Sequence, residues 1–254
     1  MFSLLGRNAL ITGGGGGLGR AMAQAFLSQG ASVILADLVA ADPVVEVLQR
    51  DHPDRIVGAV SMDITDEQSV IAGVAAAEQI LGGTADIVVT AAGIGELRLI
   101  EEMTFAEWRR MVGVHLDGTF LALRHTVGPM LAKGFGRFVC FSSIASLQGV
   151  DRQAHYAAGK GGVDGLVRSF SLEVASRGVT VNAIAPGYFE SPLNDLASPE
   201  RLQRLRSNVP SGQFGDPAQI GALAVYLSSD ESSYLTGQII SPNGGFRYCN
   251  LINT

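Results

Sequence analysis

Lysine and cysteine are both scarce in this chain. Sixteen of the eighteen basic residues are arginines, which leaves only Lys133 and Lys160. The two cysteines, Cys140 and Cys249, have neither the spacing of a disulfide framework nor that of a metal site. We therefore expect a reducing, cytoplasmic environment. We expect no metal, since no group of histidine, cysteine and carboxylate residues has ligand spacing.

Long hydrophobic runs and an excess of positive charge are missing too. No stretch of about 18 apolar residues occurs, so no membrane-spanning helix is expected. The first residues, "MFSLLGRNALITGG", run into a strand-and-turn pattern without the basic region and cleavage site of a signal peptide. A net charge of −6 argues against nucleic acid and anionic membranes as partners.

Hydrophobic residues make up 47% of the chain, and their pattern indicates an α/β fold. Seven strands are predicted, at residues 8–12, 32–37, 55–63, 85–93, 137–141, 179–187 and 238–245. Helices are predicted between them, at about residues 18–30, 43–51, 66–82, 104–132, 155–176 and 217–228. The pattern predicts a doubly wound parallel sheet with helices on both faces, in a single domain over residues 1–254. Ligands are then expected at the carboxyl ends of the strands.

One segment interrupts this alternation of strands and helices. Residues 188–214 are polar, contain Pro192, Pro199 and Pro210, and show no strand pattern. A connection of this length is usually a lid or a binding loop. We expect it to cover the substrate.

The glycine turn "TGGGGGLGR", residues 12–20, joins the first predicted strand to the first helix. Glycines permit a sharp turn and the close approach of a pyrophosphate, which the amides and dipole of the helix N-terminus would face. The five-glycine run matches G-x-G-x-x-G in several registers, so the strand–turn–helix context carries the prediction. The alternative is a flexible loop. The predicted phosphate-binding residues are Gly13, Gly16, Gly17, Leu18 and Gly19.

Asp37 ends the second predicted strand, beyond the glycine turn. A carboxylate there can accept hydrogen bonds from both ribose hydroxyls of an adenosine and would repel a 2′-phosphate. Residues 14–18 and 38–41 contain no arginine or lysine, so NAD is favoured over NADP. The alternative for Asp37 is a solvated aspartate at a strand end. Asp63, at the end of the third strand, fits adenine binding and the start of the next helix, "DITDEQ", equally well.

Tyr156 and Lys160 are four residues apart in a predicted helix, so they share one face of it. A tyrosine with a pKa of about 10 is a poor base at neutral pH. An ammonium roughly 4 Å away could lower that pKa by about three before desolvation, which acts the other way. The phenol would then exchange a proton with a carbonyl or an alcohol. The spacing alone fits a partly buried tyrosine beside a surface lysine equally well.

Several motifs in order resemble the short-chain dehydrogenase/reductase family, in its "classical" group, over nearly the whole chain. They are "TGGGGGLG" at 12–19, Asp37, "AAG" at 91–93, Ser143, "YAAGK" at 156–160, "PGYFES" at 186–191 and the closing "LTGQIISPNGG". The step from Ser143 to Tyr156 also matches the family. The resemblance implies a Rossmann-like sheet and a nicotinamide cofactor.

The resemblance also implies roles for individual residues. Tyr156 would be the general acid/base, Lys160 would lower its pKa and bind the nicotinamide ribose, and Ser143 would position the substrate. Beyond the glycine turn, Asp37, Asp63, Tyr156 and Lys160, the implied cofactor-binding residues are Ile64, Ala91, Gly93, Pro186, Gly187, Phe189 and Ser191. Relatives commonly form homotetramers by pairing their long helices, here about 104–132 and 155–176, so a homotetramer is expected.

Two positions depart from the family pattern. Ala91 stands where an asparagine usually begins the "NAG" stretch, and a modest effect is expected. His115 stands in "VHLDGTF" where the family has an asparagine that helps hold a water next to the lysine. A histidine with a pKa near 6.5 could anchor that water, pass protons itself, or only fill the space. We therefore include His115 among the candidate catalytic residues.

The residues around the predicted catalytic set suggest a small polar substrate. Besides Ser143 and Tyr156, the predicted substrate contacts are Gln148, Arg152 and Tyr188, and Arg152 could pair with a carboxylate or only face solvent. The sequence thus predicts NAD-dependent interconversion of a secondary alcohol and a ketone on a sugar acid, polyol or hydroxy acid. The alternatives are a 3-oxoacyl-thioester reductase and a non-catalytic NAD(H)-binding sensor or scaffold.

Overall fold

A computed structural model describes residues 1–39, 41–190 and 199–246, with the side chains of Pro199 and Arg201 left out. Strands and helices alternate along the chain. The strands are β1 (Asn8–Thr12), β2 (Ser32–Asp37), β3 (Val57–Ser61), β4 (Ile87–Thr90), β5 (Gly136–Phe141), β6 (Val179–Ile184) and β7 (Ile239–Ile240). The helices are α1 (Gly17–Ser28), α2 (Asp42–Asp51), α3 (Glu67–Leu81), α4 (Phe105–Val112), α5 (Gly118–Lys133), α6 (Ile144–Gln148), α7 (Ala154–Val174), α8 (Pro199–Ser207) and α9 (Pro217–Ser228).

The seven strands form one parallel sheet in the order β3-β2-β1-β4-β5-β6-β7. The chain runs outward from β1 to β3, then returns to the other side of β1 and continues from β4 to β7. This confirms the predicted doubly wound fold. The reversal between β1 and β4 opens a crevice at the carboxyl ends of the strands, where ligands bind in such sheets.

Hydrophobic side chains cover both faces of the sheet. Successive strand residues point to opposite faces, so Ile11 packs with α1 and α9 while Leu10 packs with α3, α5 and α7. Continuous burial of β1, β2, β4, β5 and β6 explains why these strands read as unbroken apolar runs.

The structure differs from the predicted elements in length and continuity. The strands predicted at 55–63, 85–93 and 179–187 are shorter, because their last residues leave the sheet to line the crevice. The strand predicted at 238–245 is reduced to Ile239–Ile240, and residues 242–244 line another cavity. The long helix predicted at 104–132 contains a π-helical turn, Gly113–Asp117, between α4 and α5. Such turns accommodate an extra residue in a helix, and this one carries His115.

The predicted lid at 188–214 is described only in part. Residues 191–198, which include Ser191, lie outside the described residues. The part that follows contains a helix the sequence reasoning missed, α8, whose residues are mostly polar. Within the described ranges, no helix is long and apolar enough to cross a membrane.

Candidate active site

Two adjoining cavities occupy the crevice at the carboxyl edge of the sheet. One, of about 350 Å³, lies over the end of β2, and its lining includes Thr12, Asp37, Val39, Asp63, Ile64 and Ala92. The other, of about 450 Å³, lies towards β5, and its lining includes Leu18, His115, Ser143, Tyr156, Lys160 and Glu190. They share Gly13, Gly16, Ala91, Gly93 and Ile94. An elongated ligand could therefore extend from Asp37 to Tyr156.

The glycine turn has the geometry that a phosphate requires. Gly13 has a φ of +69°, and a Cβ there would lie 2.7 Å from the backbone of Ala92. A Cβ at Gly19 would lie 2.4 Å from the Gly13 carbonyl oxygen. The amides in the first turn of α1 have no intrahelical acceptor and open into the cavity lined by Gly17 and Leu18. This glycine cradle fits a dinucleotide pyrophosphate.

Asp37 lies at the end of β2 and lines the cavity beside the glycine turn. Its Oδ2 accepts a hydrogen bond from the Gly15 amide at 3.0 Å, and its Oδ1 accepts one from Val39 at 3.4 Å. The carboxylate therefore closes the turn. It also lies where an adenosine ribose would lie in this fold.

Asp63 forms part of the turn before α3, and the adenine binding that the sequence also offered stays a prediction. Its Oδ1 accepts hydrogen bonds from the amide and hydroxyl of Thr65, at 2.9 and 2.7 Å, and these bonds lower the pKa of its carboxyl group. The N-cap of α3 is Asp66, which accepts from the Gln68 amide. Asp63 thus shapes the turn before α3, and it also lines the cavity next to Ile64.

Ser143, Tyr156 and Lys160 converge in the larger cavity. Ser143 follows β5 and is the N-cap of α6, where its Oγ accepts from the Ala145 amide at 3.1 Å. This bond leaves the Ser143 hydroxyl hydrogen for an acceptor in the cavity, which Tyr156 also lines. Lys160 lies one helical turn after Tyr156, with its Nζ 5.9 Å from the centre of the tyrosine ring.

Burial dominates the protonation of this group. It raises the pKa of Tyr156, and the hydrogen bond with Ser143 only partly opposes that effect. Burial also lowers the pKa of Lys160 to about 8, and its Nζ donates to the Phe141 carbonyl at 2.6 Å. The expected acidification of the phenol by Lys160 is therefore wrong for the protein alone, because both groups leave water on folding.

His115 is almost completely buried, and it lies beside Tyr156 with the two ring centres 5.0 Å apart. Its Nε2 lies 2.9 Å from the Ile94 carbonyl oxygen and 3.3 Å from the Ile94 amide, so either tautomer can bond there. Burial and the Lys160 charge lower the pKa of His115 to about 3. The imidazole is neutral near pH 7, which argues against a relay that works by charging this ring. The bond between His115 and Ile94 connects the loop after β4 to the π turn.

The predicted cofactor-binding residues come together, with one gap. Gly13, Gly16, Gly17, Leu18, Gly19, Ala91, Gly93, Pro186, Gly187 and Phe189 line the larger cavity. Asp37, Asp63 and Ile64 line the smaller one. Ser191 lies outside the described residues. The space beside Gly93 is closed by His115, since a Cβ on Gly93 would lie 2.7 Å from the His115 Cε1.

A third cavity of about 270 Å³ adjoins Ser143 and Tyr156 on the side away from the glycine turn. Its lining also includes Ile94, Gly95, Ile144, Ala145, Val150, Gln153, Pro186, Gly187 and Tyr188. Tyr188 is placed here as predicted, but Gln148 and Arg152 are not among the lining residues. Arg152 is exposed with a φ of +60°, and only its carbonyl is fixed, by the Arg98 amide at 2.8 Å.

Sequence reasoning missed Gln153, which lines this third cavity. Its position immediately before α7, three residues ahead of Tyr156, was the available signal. The choice between Arg152 and Gln153 depends on the loop conformation, since the unusual φ of Arg152 sets which neighbour faces the cavity.

Comparison with known proteins places these features in a family. A family model described as enoyl-(acyl carrier protein) reductase matches residues 14–247. The 3-oxoacyl-[acyl-carrier-protein] reductase of Aquifex aeolicus is 33% identical over 244 residues, covering 95% of this chain and 98% of that protein. The chain belongs to the short-chain dehydrogenase/reductase family. Its members act as oxidoreductases, and the family assignment from the motifs is confirmed.

Other relatives of this chain are named for sugar alcohols or sugar acids. The galactitol 2-dehydrogenase (L-tagatose-forming) of Cereibacter sphaeroides is 37% identical over 253 residues, covering 97% of each chain. A proposed 2-deoxy-D-gluconate 3-dehydrogenase of Agrobacterium tumefaciens, solved with bound NADP, is 33% identical and has a TM-score of 0.87. The match covers 96% of this chain and 98% of that one. These relatives differ in substrate class.

Proposed function

We propose that this protein is an NAD-dependent oxidoreductase that interconverts a secondary alcohol and a ketone on a small polar substrate. The supporting observation is the position of Tyr156, which lines both the dinucleotide-side cavity and the 270 Å³ cavity beside it. A substrate oxygen in the 270 Å³ cavity can reach this phenol, while the carbon atom that carries the oxygen faces the dinucleotide-side cavity. A bound nicotinamide supplies the hydride acceptor or donor.

The chain's own residues handle the proton and the substrate oxygen. Ser143 has one hydroxyl hydrogen to donate to that oxygen, while its Oγ accepts from the Ala145 amide. Tyr156 takes the proton from the alcohol or gives it to the ketone. Lys160 donates a hydrogen bond to the Phe141 carbonyl and places its ammonium group on the same face of α7 as Tyr156. A bound oxidised nicotinamide adds positive charge, which opposes the effect of burial on the phenol.

Asp37 supports NAD as the cofactor. Its carboxylate would lie against a 2′-phosphate, and the neighbouring Leu38 and Val39 are exposed and uncharged. The described lining of this cavity offers no basic side chain to compensate. Because one relative was solved with bound NADP, the assay should compare NADP directly with NAD.

The 270 Å³ cavity favours an uncharged polyol among the small polar substrates. Its described lining offers Ser143, Gln153, Tyr156 and Tyr188 as hydrogen-bonding side chains and no charged group. A sugar acid or a hydroxy acid would find no cationic side chain in this described lining, and the galactitol dehydrogenase relative supports the same choice.

A substrate panel tests this proposal. We expect NADH formation with polyols such as galactitol, weaker activity with gluconate, and little reduction of a 3-oxoacyl thioester by NADPH. Tyr156→Phe should lower kcat by at least about a hundredfold, the usual contribution of a positioned acid/base, with dinucleotide affinity retained. Tyr234→Phe, at a fully exposed tyrosine, is the matched control.

Two other results would replace the proposal. Preferred reduction of the 3-oxoacyl thioester would favour the acyl reductase, which the Aquifex aeolicus relative supports. Tight NADH binding without turnover of any substrate would favour a non-catalytic sensor or scaffold.

A further inference from the structure

Asp164 is a buried carboxylate that the proposed reaction leaves without a role. It lies on α7, one turn after Lys160 and two turns after Tyr156, so the three side chains follow one helix face. Only 3% of Asp164 is exposed. Because an isolated buried charge is strongly unfavourable, a carboxylate in this place needs compensating partners.

One oxygen of Asp164 is connected to the turn that carries Ser143. Its Oδ2 lies 2.7 Å from the Ser146 hydroxyl on α6. The same hydroxyl lies 2.7 Å from the Ser143 carbonyl oxygen and 3.1 Å from the Ser142 hydroxyl. The single Ser146 proton thus lies between the Asp164 carboxylate and the Ser143 backbone, and Ser142 can donate to the Ser146 oxygen. This network joins α7 to the N-terminus of α6.

The other oxygen, Oδ1, is buried without a hydrogen-bond partner in the described part of the chain. The Ser146 hydroxyl at Oδ2 is therefore the hydrogen-bond donor described for this carboxylate. The cation on the same helix face is Lys160, whose Nζ is bonded to the Phe141 carbonyl.

The groups around Lys160 leave Asp164 as its source of negative charge. Burial lowers the pKa of Lys160 to about 8, while Cys140 on β5 and Asp164 oppose that effect. Burial raises the pKa of the Cys140 thiol to about 12, so it carries no charge near pH 8. The raised pKa of Tyr156 keeps the phenol neutral there, and the pKa of about 3 keeps His115 neutral.

We propose that Asp164 is a positioning residue: through Ser146 it holds the turn that carries Ser143, and its carboxylate supplies the buried negative charge that keeps Lys160 protonated. The role in catalysis rests on the proposed function. The effect on Lys160 belongs to the folded protein and can be measured without any substrate.

The scarcity of lysine makes a direct test possible. Protein labelled with ε-¹³C-lysine should give two side-chain NMR signals, from Lys133 and Lys160, and Lys133→Arg assigns them. We expect Asp164→Asn to move the titration midpoint of Lys160 down by about one pH unit, as the loss of a nearby buried charge requires. Lys133 should not move. An unchanged Lys160 midpoint would overturn the electrostatic role.

Matched variants separate charge from packing. Glu173→Gln removes a charge from an exposed position on the same helix and should leave the Lys160 midpoint unchanged. Asp164→Glu keeps the charge and should hold the midpoint close to that of the unaltered protein. If Asp164→Asn does not fold, Asp164→Ser takes its place in the titration.

Ser146→Ala tests the anchoring role by itself. It removes the hydroxyl between Asp164 and Ser143 but keeps the carboxylate, so the Lys160 midpoint should stay in place. KM for the alcohol should rise several-fold because Ser143 is less firmly held, and an unchanged KM would refute the anchoring. If the unaltered protein turns over no alcohol, the proposed function fails, while the NMR titration still decides the effect of Asp164 on Lys160.

Discussion

Burial shifts the pKa values of three ionisable groups that line the larger cavity, Tyr156, Lys160 and His115. It raises the pKa of Tyr156 and lowers the pKa values of Lys160 and His115 to about 8 and about 3. All three shifts favour the neutral forms. A cofactor that brings positive charge next to Tyr156 would therefore have a larger effect on this phenol than on one in water, because the surrounding dielectric is low.

His115 predicts a specific dependence of stability on pH. In the unfolded chain its pKa is near 6.5, and in the folded protein it is about 3. Between these values the unfolded state binds the additional proton, so stability falls as the pH falls through this window. At pH 5 the loss should be about 2 kcal/mol relative to pH 7.5.

Urea unfolding at pH 7.5 and 5 measures this effect. His115→Asn, which keeps a donor and an acceptor for Ile94, should lose about 2 kcal/mol less over the same interval. All other titrating groups are common to the two proteins. An equal loss in both would show that His115 becomes protonated in the folded state.

Asp37 predicts the cofactor preference. Asp37→Asn removes the charge that opposes a 2′-phosphate but keeps an oxygen that can accept from Gly15. We expect the ratio of kcat/KM for NADP to that for NAD to rise at least about tenfold, equivalent to about 1.4 kcal/mol. The exposed Asp51→Asn is the control, and a ratio that does not change would mean that Asp37 does not face the ribose.

The elements around the crevice work through backbone contacts as much as through side chains. The glycine turn before α1 leaves a gap for a phosphate because Gly13 and Gly19 bring two backbone segments together. The π turn places His115 against Ile94 and Gly93, so an irregular helix fixes the wall of the cleft. The sequence pattern predicted the glycine turn, but it did not predict the π turn that separates α4 from α5.

Gly19→Ala tests the packing of the glycine turn. Its methyl group would lie 2.4 Å from the Gly13 carbonyl oxygen, so the turn must shift. We expect NADH to bind at least about tenfold more weakly, measured by calorimetry, because displaced amides no longer face the pyrophosphate. Gly165→Ala, on α7 with open space around it, is the control and should bind NADH normally. Equal affinities would contradict this assignment of the turn.

The whole molecule is organised by the reversal of strand order between β1 and β4. That reversal brings Asp37, the glycine turn and Tyr156, which are far apart in sequence, to one edge of the sheet. The helix faces not used against the sheet leave large apolar side chains exposed. They include Phe105, Phe120 and Leu172.

The expected homotetramer remains a prediction. Leu123, Val163 and Val167, on the two long helices expected to pair, pack in the core, whereas Phe120 is 45% exposed. Pairing of α5 helices between copies would cover Phe120. Light scattering should give four times the chain mass of 26.6 kDa, and Phe120→Glu should lower it. A tetramer unaffected by Phe120→Glu would place the interface elsewhere.

The sequence by itself determined the type of sheet and predicted the glycine turn, because periodicity and spacing along one turn are local properties of the chain. It predicted Ser143, Tyr156 and Lys160 as the catalytic set through the resemblance of several motifs in order, since the spacing of Tyr156 and Lys160 alone fits a surface pair equally well. Only the tertiary structure decided the direction of the Tyr156 pKa shift, the bond from His115 to Ile94, Gln153 in place of Arg152, and the burial of Asp164 against Ser146. Each of these depends on desolvation or on contacts between residues of different elements, and neither can be read from residue spacing.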